Sequence, residues 1–376
     1  MSRRVFIVLA TIAVALIGGI ASASAQALIE ETTFLDVQID GRPYRLEALI
    51  VKPAGASGRL PIALLTHGRN GLAEENAKKR ARGLLPQARD FAHRGWLAVS
   101  VVRRGFGLSD GPEARGVDCV HQTFRENFER NADDLAAALT AIAQRPDADP
   151  HRVVAVGVSA GGAAALALAA RRPPGLVGVI NVSGGLQVSR NGVPCSIERG
   201  LISAFANFGA RSRVPTLWLY AQNDSLFAPS LVTALHEAYR RAGGIAELAL
   251  FAPLSDDGHK LWSMFEGRKQ WLPRLDQFLI AQALPTWDRA ALEARMATSR
   301  LGSSARPVIE GYLAAPTEKV LAVSQSTHRL FWWAGGELAA MRQKSLEACE
   351  QKTSEPCAVV LENFAPTGNA PQASVH

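Results

Sequence analysis

No C-x-x-C pair and no H-E-x-x-H occurs in the 376 residues, so neither a structural nor a catalytic zinc site is expected. Basic side chains are not interleaved with aromatics as on a nucleic-acid surface, and Lys78-Lys79-Arg80 fits the solvated face of a helix. The glycine-rich stretch from Arg103 to Gly111 lacks the lysine and the helix start of a phosphate loop. No internal repeat is visible. One long apolar run exists, Val5 to Ile20, interrupted by Thr11 and Gly18-Gly19. It is short of the roughly 20 residues that a membrane span needs. No cysteine adjoins it, which argues against a lipid anchor.

What surrounds that run gives it another use. Arg3 and Arg4 precede it and Ala23-Ser24-Ala25 follows as an A-x-A cleavage site. Residues 1–25 are therefore expected to be a signal peptide, with the mature protein periplasmic or secreted and free of stable membrane insertion. An uncleaved anchor is the alternative. Losing Arg3 and Arg4 takes the formal charge from +7 to +5, a modest excess that points to no particular partner. Four cysteines remain, Cys119, Cys195, Cys349 and Cys357. An even count behind an export signal points to disulfides, with three possible connectivities.

Beyond residue 28, short apolar runs alternate with helical patterns, which predicts an α/β domain built on a mostly parallel sheet with helices on both faces. Strands are expected at Thr32 to Ile39 and Tyr44 to Val51, joined at Asp40-Gly41. Further strands are expected at Pro61 to Thr66, Trp96 to Val102, Val153 to Val156, Leu176 to Val182, Thr216 to Tyr220 and Ala246 to Phe251. Helices are expected at 73–94, 124–144, 160–170, 229–241 and 260–283. This domain runs from 28 to 285. Residues 186–213, with a helix from Ile197 to Phe208, break the rhythm and read as a lid. After a helical piece at 287–299, residues 286–316 read as a linker. Residues 317–364 read as a small α+β module of β-β-α-β order, and 365–376 as a disordered tail.

Chemistry is carried first by Gly157-Val158-Ser159-Ala160-Gly161-Gly162, directly after a β-branched strand and directly before a helix. A serine hydroxyl is a poor nucleophile unless exposed, oriented and next to a base. A sharp strand-to-helix turn exposes it and requires residues without bulk on either side. The same turn frees the Ala160 N–H at a helix N-terminus, where it can meet a developing oxyanion.

Here the chain resembles the α/β-hydrolase family, within it the dienelactone hydrolase-like and prolyl oligopeptidase-like branch, over about residues 45–283. The resemblance implies an acid after a later strand and a histidine later still. Asp224, in Ala221-Gln222-Asn223-Asp224, and His259, after Gly258, match those positions; Asn223 competes with Asp224 for an ordinary turn role. Histidine suits a base because its unperturbed pKa lies near neutrality. His67-Gly68-Arg69 resembles the family's oxyanion loop, with the Arg69 N–H aimed beside that of Ala160 and His67 structural. Arg103 to Gly111 is similar to a glycine-rich loop of the superfamily. His67, Phe106, Phe227 and Trp262 are the candidate substrate contacts. A Cys119–Cys195 disulfide would tether lid to core, and Cys349–Cys357 would be local to the C-terminal module. Dienelactone hydrolases proper use a cysteine nucleophile where this chain has Ser159, so their lactone substrate is not implied.

The expected function is an exported serine hydrolase acting on a small-molecule carboxylic ester through Ser159, His259 and Asp224, without metal or organic cofactor. The alternatives are a serine peptidase on the same three residues, or an envelope-binding protein with a vestigial hydrolase core.

Overall fold

Six strands lie parallel in one sheet because each returns to the next through a helix. The computed structural model describes residues 27–114, 117–287 and 305–367. The expected signal peptide, the helix expected at 287–299 apart from Trp287, and the tail beyond 367 lie outside the described residues. β1 (Leu28–Ile39) and β2 (Arg42–Pro53) form an antiparallel hairpin across Asp40-Gly41, both at positive φ as a primed turn demands. They are followed by β3 (Leu60–Thr66), β4 (Leu97–Val101), β5 (Ala148–Val158), β6 (Leu176–Val182), β9 (Thr216–Ala221) and β10 (Ala246–Phe251). Between β6 and β9 comes a short hairpin of β7 (Ser189–Arg190) and β8 (Val193–Pro194). The main sheet runs β1-β2-β4-β3-β5-β6-β9-β10, parallel from β4 onward.

Helices cover both faces, and each face has its own core. On one side α3 (Phe124–Ala143), α4 (Ala160–Ala170), α5 (Glu198–Arg211) and α6 (Pro229–Arg241) bury Phe128, Leu166, Phe205, Trp218 and Tyr239. On the other, α2 (Leu85–Ala92) and α7 (Phe265–Ala281) bury Phe91, Trp96, Trp271 and Phe278. α4 is made of alanine, glycine and leucine and is buried along its whole length. Its small side chains let it sit close on the central strands.

The structure differs from expectation at several places. The helix expected over 73–94 is broken into α1 (Ala73–Ala77), a 3-10 turn at Ala81–Leu84 and α2. Arg80 is extended (φ −137°, ψ 149°), the Ala81 N–H donates to the buried Glu47 carboxylate at 2.9 Å, and Pro86 restarts the helix in its first turn. The helix expected from 260 begins at Phe265, after a 3-10 turn at Gly258–Lys260. Helix α5, placed by sequence inside a lid, is a layer helix with Leu201, Phe205 and Phe208 in the core. What is left outside the layers is the stretch 186–197, fastened by the Cys119–Cys195 disulfide. Finally, part of the expected linker is helix α8 (Arg306–Ala314).

The C-terminal module is a four-stranded antiparallel sheet, β12 (Leu330–Ala334), β11 (Lys319–Ser324), β13 (Cys357–Glu362) and β14 (Ala365–Pro366), in that order. β14 pairs residues assigned by sequence to the tail. α8 packs Tyr312 and Leu313 on one face against Leu321 and Leu361; α9 (Leu338–Thr353) packs Met341 on the other against Val320 and Val359. The Cys349–Cys357 disulfide ties α9 to β13. The module is docked to α2 and α7 through polar groups: His93 Nε2 lies 2.9 Å from Glu318 Oε1, and Arg268 Nε donates to the Ala314 carbonyl at 2.9 Å.

Candidate active site

At the carboxyl ends of the parallel strands the chain makes its sharpest turn. Ser159 sits between β5 and α4 at φ 54° and ψ −124°, a conformation L-residues adopt only when their surroundings impose it. Its N–H donates to Val182 O at 2.9 Å, and its carbonyl accepts from Gly162 at 2.9 Å and Gly185 at 3.1 Å. The flanking glycines are required by contact. A Cβ on Gly157 would lie 2.1 Å from the Gly161 oxygen, and one on Gly161 would lie 2.4 Å from the His67 oxygen.

Two strands along, β9 ends and Asp224 turns the chain. Its Oδ1 accepts from the N–H groups of Leu226 and Phe227 at 3.0 and 3.1 Å, an Asx turn, while its side chain is fully buried. The same carboxylate meets His259: Nδ1 lies 3.1 Å from both Oδ1 and Oδ2. This assigns the proton to Nδ1 and leaves Nε2 as the acceptor. Asn223, the competitor for the turn role, points elsewhere. Its side chain takes the Leu254 N–H at 2.9 Å and donates to the carbonyls of Leu254 and Asp256 at 2.9 and 3.1 Å. Phe227 backs the imidazole with ring centroids 5.6 Å apart. A Cβ on Gly185 would lie 2.6 Å from that ring, so Ser159, Gly185, Phe227 and His259 form a chain of contacts.

The loop after β3 passes over the elbow. A Cβ on Gly68 would lie 3.0 Å from Ser159 Cβ and 3.6 Å from Ser159 Oγ, so this backbone borders the hydroxyl. The N–H groups of Arg69 and Ala160 have no hydrogen-bond partner among the described residues. The Arg69 guanidinium is paired with Glu113. His67 donates from Nδ1 to the Gly68 carbonyl at 2.7 Å and accepts the Arg103 N–H on Nε2 at 3.1 Å, so both ring nitrogens are used.

Arg103 supports this loop from below and was missed by sequence, because a charged pair after a buried strand looks like surface. It is fully buried. Nη1 donates to Thr66 Oγ1 and to the His67 carbonyl, both at 2.6 Å, and Nε donates to Asn131 Oδ1 at 2.8 Å. Burial lowers its pKa to about 10 against the pull of Asp134 and Glu113.

Burial, with Arg103 beside it, also holds the His67 imidazole well below its ordinary pKa. The sign follows: below about pH 6.5 the unfolded chain takes up a proton that the folded one refuses. Stability should therefore fall with pH below that value, by up to about 1.4 kcal/mol per pH unit. Thermal melts of wild type and His67→Asn between pH 7.5 and 5 check this; the variant should lose less. Equal slopes would rule His67 out as the group responsible.

The aromatic residues expected to contact substrate are placed differently. Trp262, two residues beyond the 3-10 turn at Gly258–Lys260, is buried in the core and stacked on Trp271 with centroids 4.1 Å apart. Phe106 is buried edge-on against His67 at 4.7 Å, and Phe227 is buried behind His259. All three are buried and none offers an open face. Gln122, whose Nε2 donates to Ser196 O at 2.7 Å, lines with Ser196, Arg125, Arg199 and Asn207 a polar cavity of about 820 Å3. Among the described residues no group of three or more His, Cys, Asp or Glu is placed to hold a metal ion.

Comparison with known proteins adds a family. The model of the X-Pro dipeptidyl-peptidase (S15 family) matches residues 40–328. A Nocardia uniformis subsp. tsuyamanensis protein provisionally named as an esterase, NocK, is 34% identical over 157 residues, 41% of this chain. That match spans 42% of the relative's length. Among solved structures, ferulic-acid-bound Est1E from Butyrivibrio proteoclasticus aligns at TM-score 0.48 and 14% identity, over 67% of this chain and 99% of its own. Dipeptidyl peptidase 4 of Porphyromonas gingivalis aligns at TM-score 0.48 and 19% identity, over 67% of this chain and 35% of its own.

Proposed function

The chain belongs to the X-Pro dipeptidyl-peptidase (S15) family, and from the chemistry of its site we propose that it is an exported serine hydrolase cleaving carboxylic esters through an acyl-enzyme. The observation that carries this reading is the contact of His259 Nδ1 with both oxygens of the buried Asp224 carboxylate, together with a serine on a strained strand-to-helix turn at the carboxyl end of a strand of the same sheet. Ser159 Oγ attacks the ester carbonyl while His259 Nε2 takes its proton. The tetrahedral oxyanion receives the N–H groups of Arg69 and Ala160, each such donor contributing about 10²–10³ in rate. His259 then protonates the leaving alcohol, and water repeats the sequence on the acyl-enzyme. Asp224 holds the tautomer and stabilises the imidazolium.

Export is supported by Arg3-Arg4, the apolar run and Ala23-Ser24-Ala25, and by the two disulfides. Among the described residues no helix is long and apolar enough to cross a membrane.

The family description favours a second reading, a peptidase acting after an X-Pro dipeptide. Turnover of p-nitrophenyl esters from acetate to octanoate, set against Ala-Pro and Gly-Pro p-nitroanilides, separates the two. The ester reading expects kcat/KM on the best ester to exceed that on either anilide by more than about 100-fold, which is about 2.7 kcal/mol of transition-state preference. Faster cleavage of the anilides overturns it. Turnover of neither, with no fluorophosphonate labelling, points to a binding protein.

A further inference from the structure

The acid and base loops are stitched together by a side chain that the mechanism does not use. Asp257, two residues before His259, accepts the His259 N–H at 2.9 Å and the Ser225 N–H at 3.0 Å on Oδ1, and the Ser225 hydroxyl at 2.8 Å on Oδ2. Ser225 is the neighbour of Asp224. One carboxylate thus joins the residue after the acid to the backbone of the base, across 32 residues of sequence. Beside it, Gly258 donates to the Asn223 carbonyl at 3.1 Å, and a Cβ on Gly258 would come within 2.6 Å of the Asp224 nitrogen.

A plain cap on the 3-10 turn at Gly258–Lys260 needs only the His259 N–H. The two further bonds, both to Ser225, contribute nothing to that turn. They fix the distance between Asp224 and His259, and a misplacement of about 1 Å at reacting groups costs about 100-fold in rate. Partial burial raises the Asp257 pKa, yet the donors from His259 and Ser225 outweigh it and keep the carboxylate below its usual range.

We infer that Asp257 is a positioning residue which locks the acid loop to the base loop, so that the Asp224–His259 contact is preformed before substrate arrives. This rests on the reading of Ser159, His259 and Asp224 as the reacting set. The charged groups facing His259 are Asp224 and Asp257; Asp256 and Lys260 pair with each other on the exposed side.

The test uses the full-length mature protein, with Asp257→Ala, Asp257→Asn and Ser225→Ala. For Asp257→Ala, kcat on a p-nitrophenyl ester should fall about 10- to 100-fold with KM within threefold, and the fluorophosphonate labelling rate of Ser159 should fall in step. Asp257→Asn restores a neutral acceptor and should recover kcat to within about fivefold. A cap alone would lower Tm and leave kcat, KM and the labelling rate unmoved. If Asp257→Ala folds and keeps kcat within twofold, the inference is overturned. Should it not fold, unchanged kcat in Ser225→Ala overturns it. Wild type that fails to label at Ser159 fails the underlying reading instead, which is a separate outcome.

Discussion

Replacing Ser159 with alanine should lower ester turnover by about 10⁵-fold or more and abolish fluorophosphonate labelling, while leaving the fold intact. The size follows from how the three side chains act. Without the hydroxyl no acyl-enzyme forms, and what remains is whatever the oxyanion donors and binding contribute to attack by water. His259→Ala should cost about as much, and the double variant little more, because residues acting as a unit are not additive. Ser159→Gly makes a second, independent measurement on the same position. The serine is held at φ 54° and ψ −124°, strain of about 1–3 kcal/mol that glycine does not carry. Against it stands about 0.5–1 kcal/mol of backbone entropy. Ser159→Gly should therefore melt about 2–4 °C above Ser159→Ala. An alanine variant that keeps more than a hundredth of wild-type turnover would place the nucleophile elsewhere.

That elbow was legible in sequence because its requirements are local: small residues on both sides of a serine, a β-branched strand before it and a small-residue helix after it. Asp224 and His259 were legible through chain order and loop position, since parallel strands bring their carboxyl ends to one rim. Which of Asn223 and Asp224 makes the turn was not legible, because both suit it; in the structure Asp224 accepts from Leu226 and Phe227 while Asn223 bonds Leu254 and Asp256. What sorts them is which loop lies opposite. Asp257 and Arg103 were illegible for a related reason. Their partners, Ser225 and Thr66, are 32 and 37 residues away, and a side chain that bonds across loops leaves no periodicity behind. Helix α5 was misplaced because its position between strands resembled an insertion, although Leu201, Ala204, Phe205 and Phe208 mark an apolar stripe at helical spacing. Trp262 was expected at the substrate, but its ring is buried and stacks on Trp271 in the core.

The C-terminal module supplies the other large effect. Asp90 on α2 and Arg268 on α7 form a two-pronged ion pair at 2.7 and 2.9 Å, with both side chains 3% exposed. Arg268 also reaches the last turn of α8 through its bond to the Ala314 carbonyl and lies over the Trp271 ring at 5.3 Å. The pair is thus the joint where α2, α7 and the module meet. Asp90→Ala leaves a guanidinium buried without its counter-charge, which costs about 3–5 kcal/mol. Tm should fall by about 6–20 °C, on the scale of 2–4 °C per kcal/mol for large domains. Replacing both partners, as Asp90→Leu with Arg268→Met, removes the desolvated charge along with its partner and should recover more than half of that loss. Ester kcat measured at 25 °C should stay within twofold of wild type in both, since neither residue touches the elbow or the acid and base loops. A single variant that melts within 1 °C of wild type would mean that water reaches the guanidinium, and that the module is held by the apolar contacts of α7 and α8 instead.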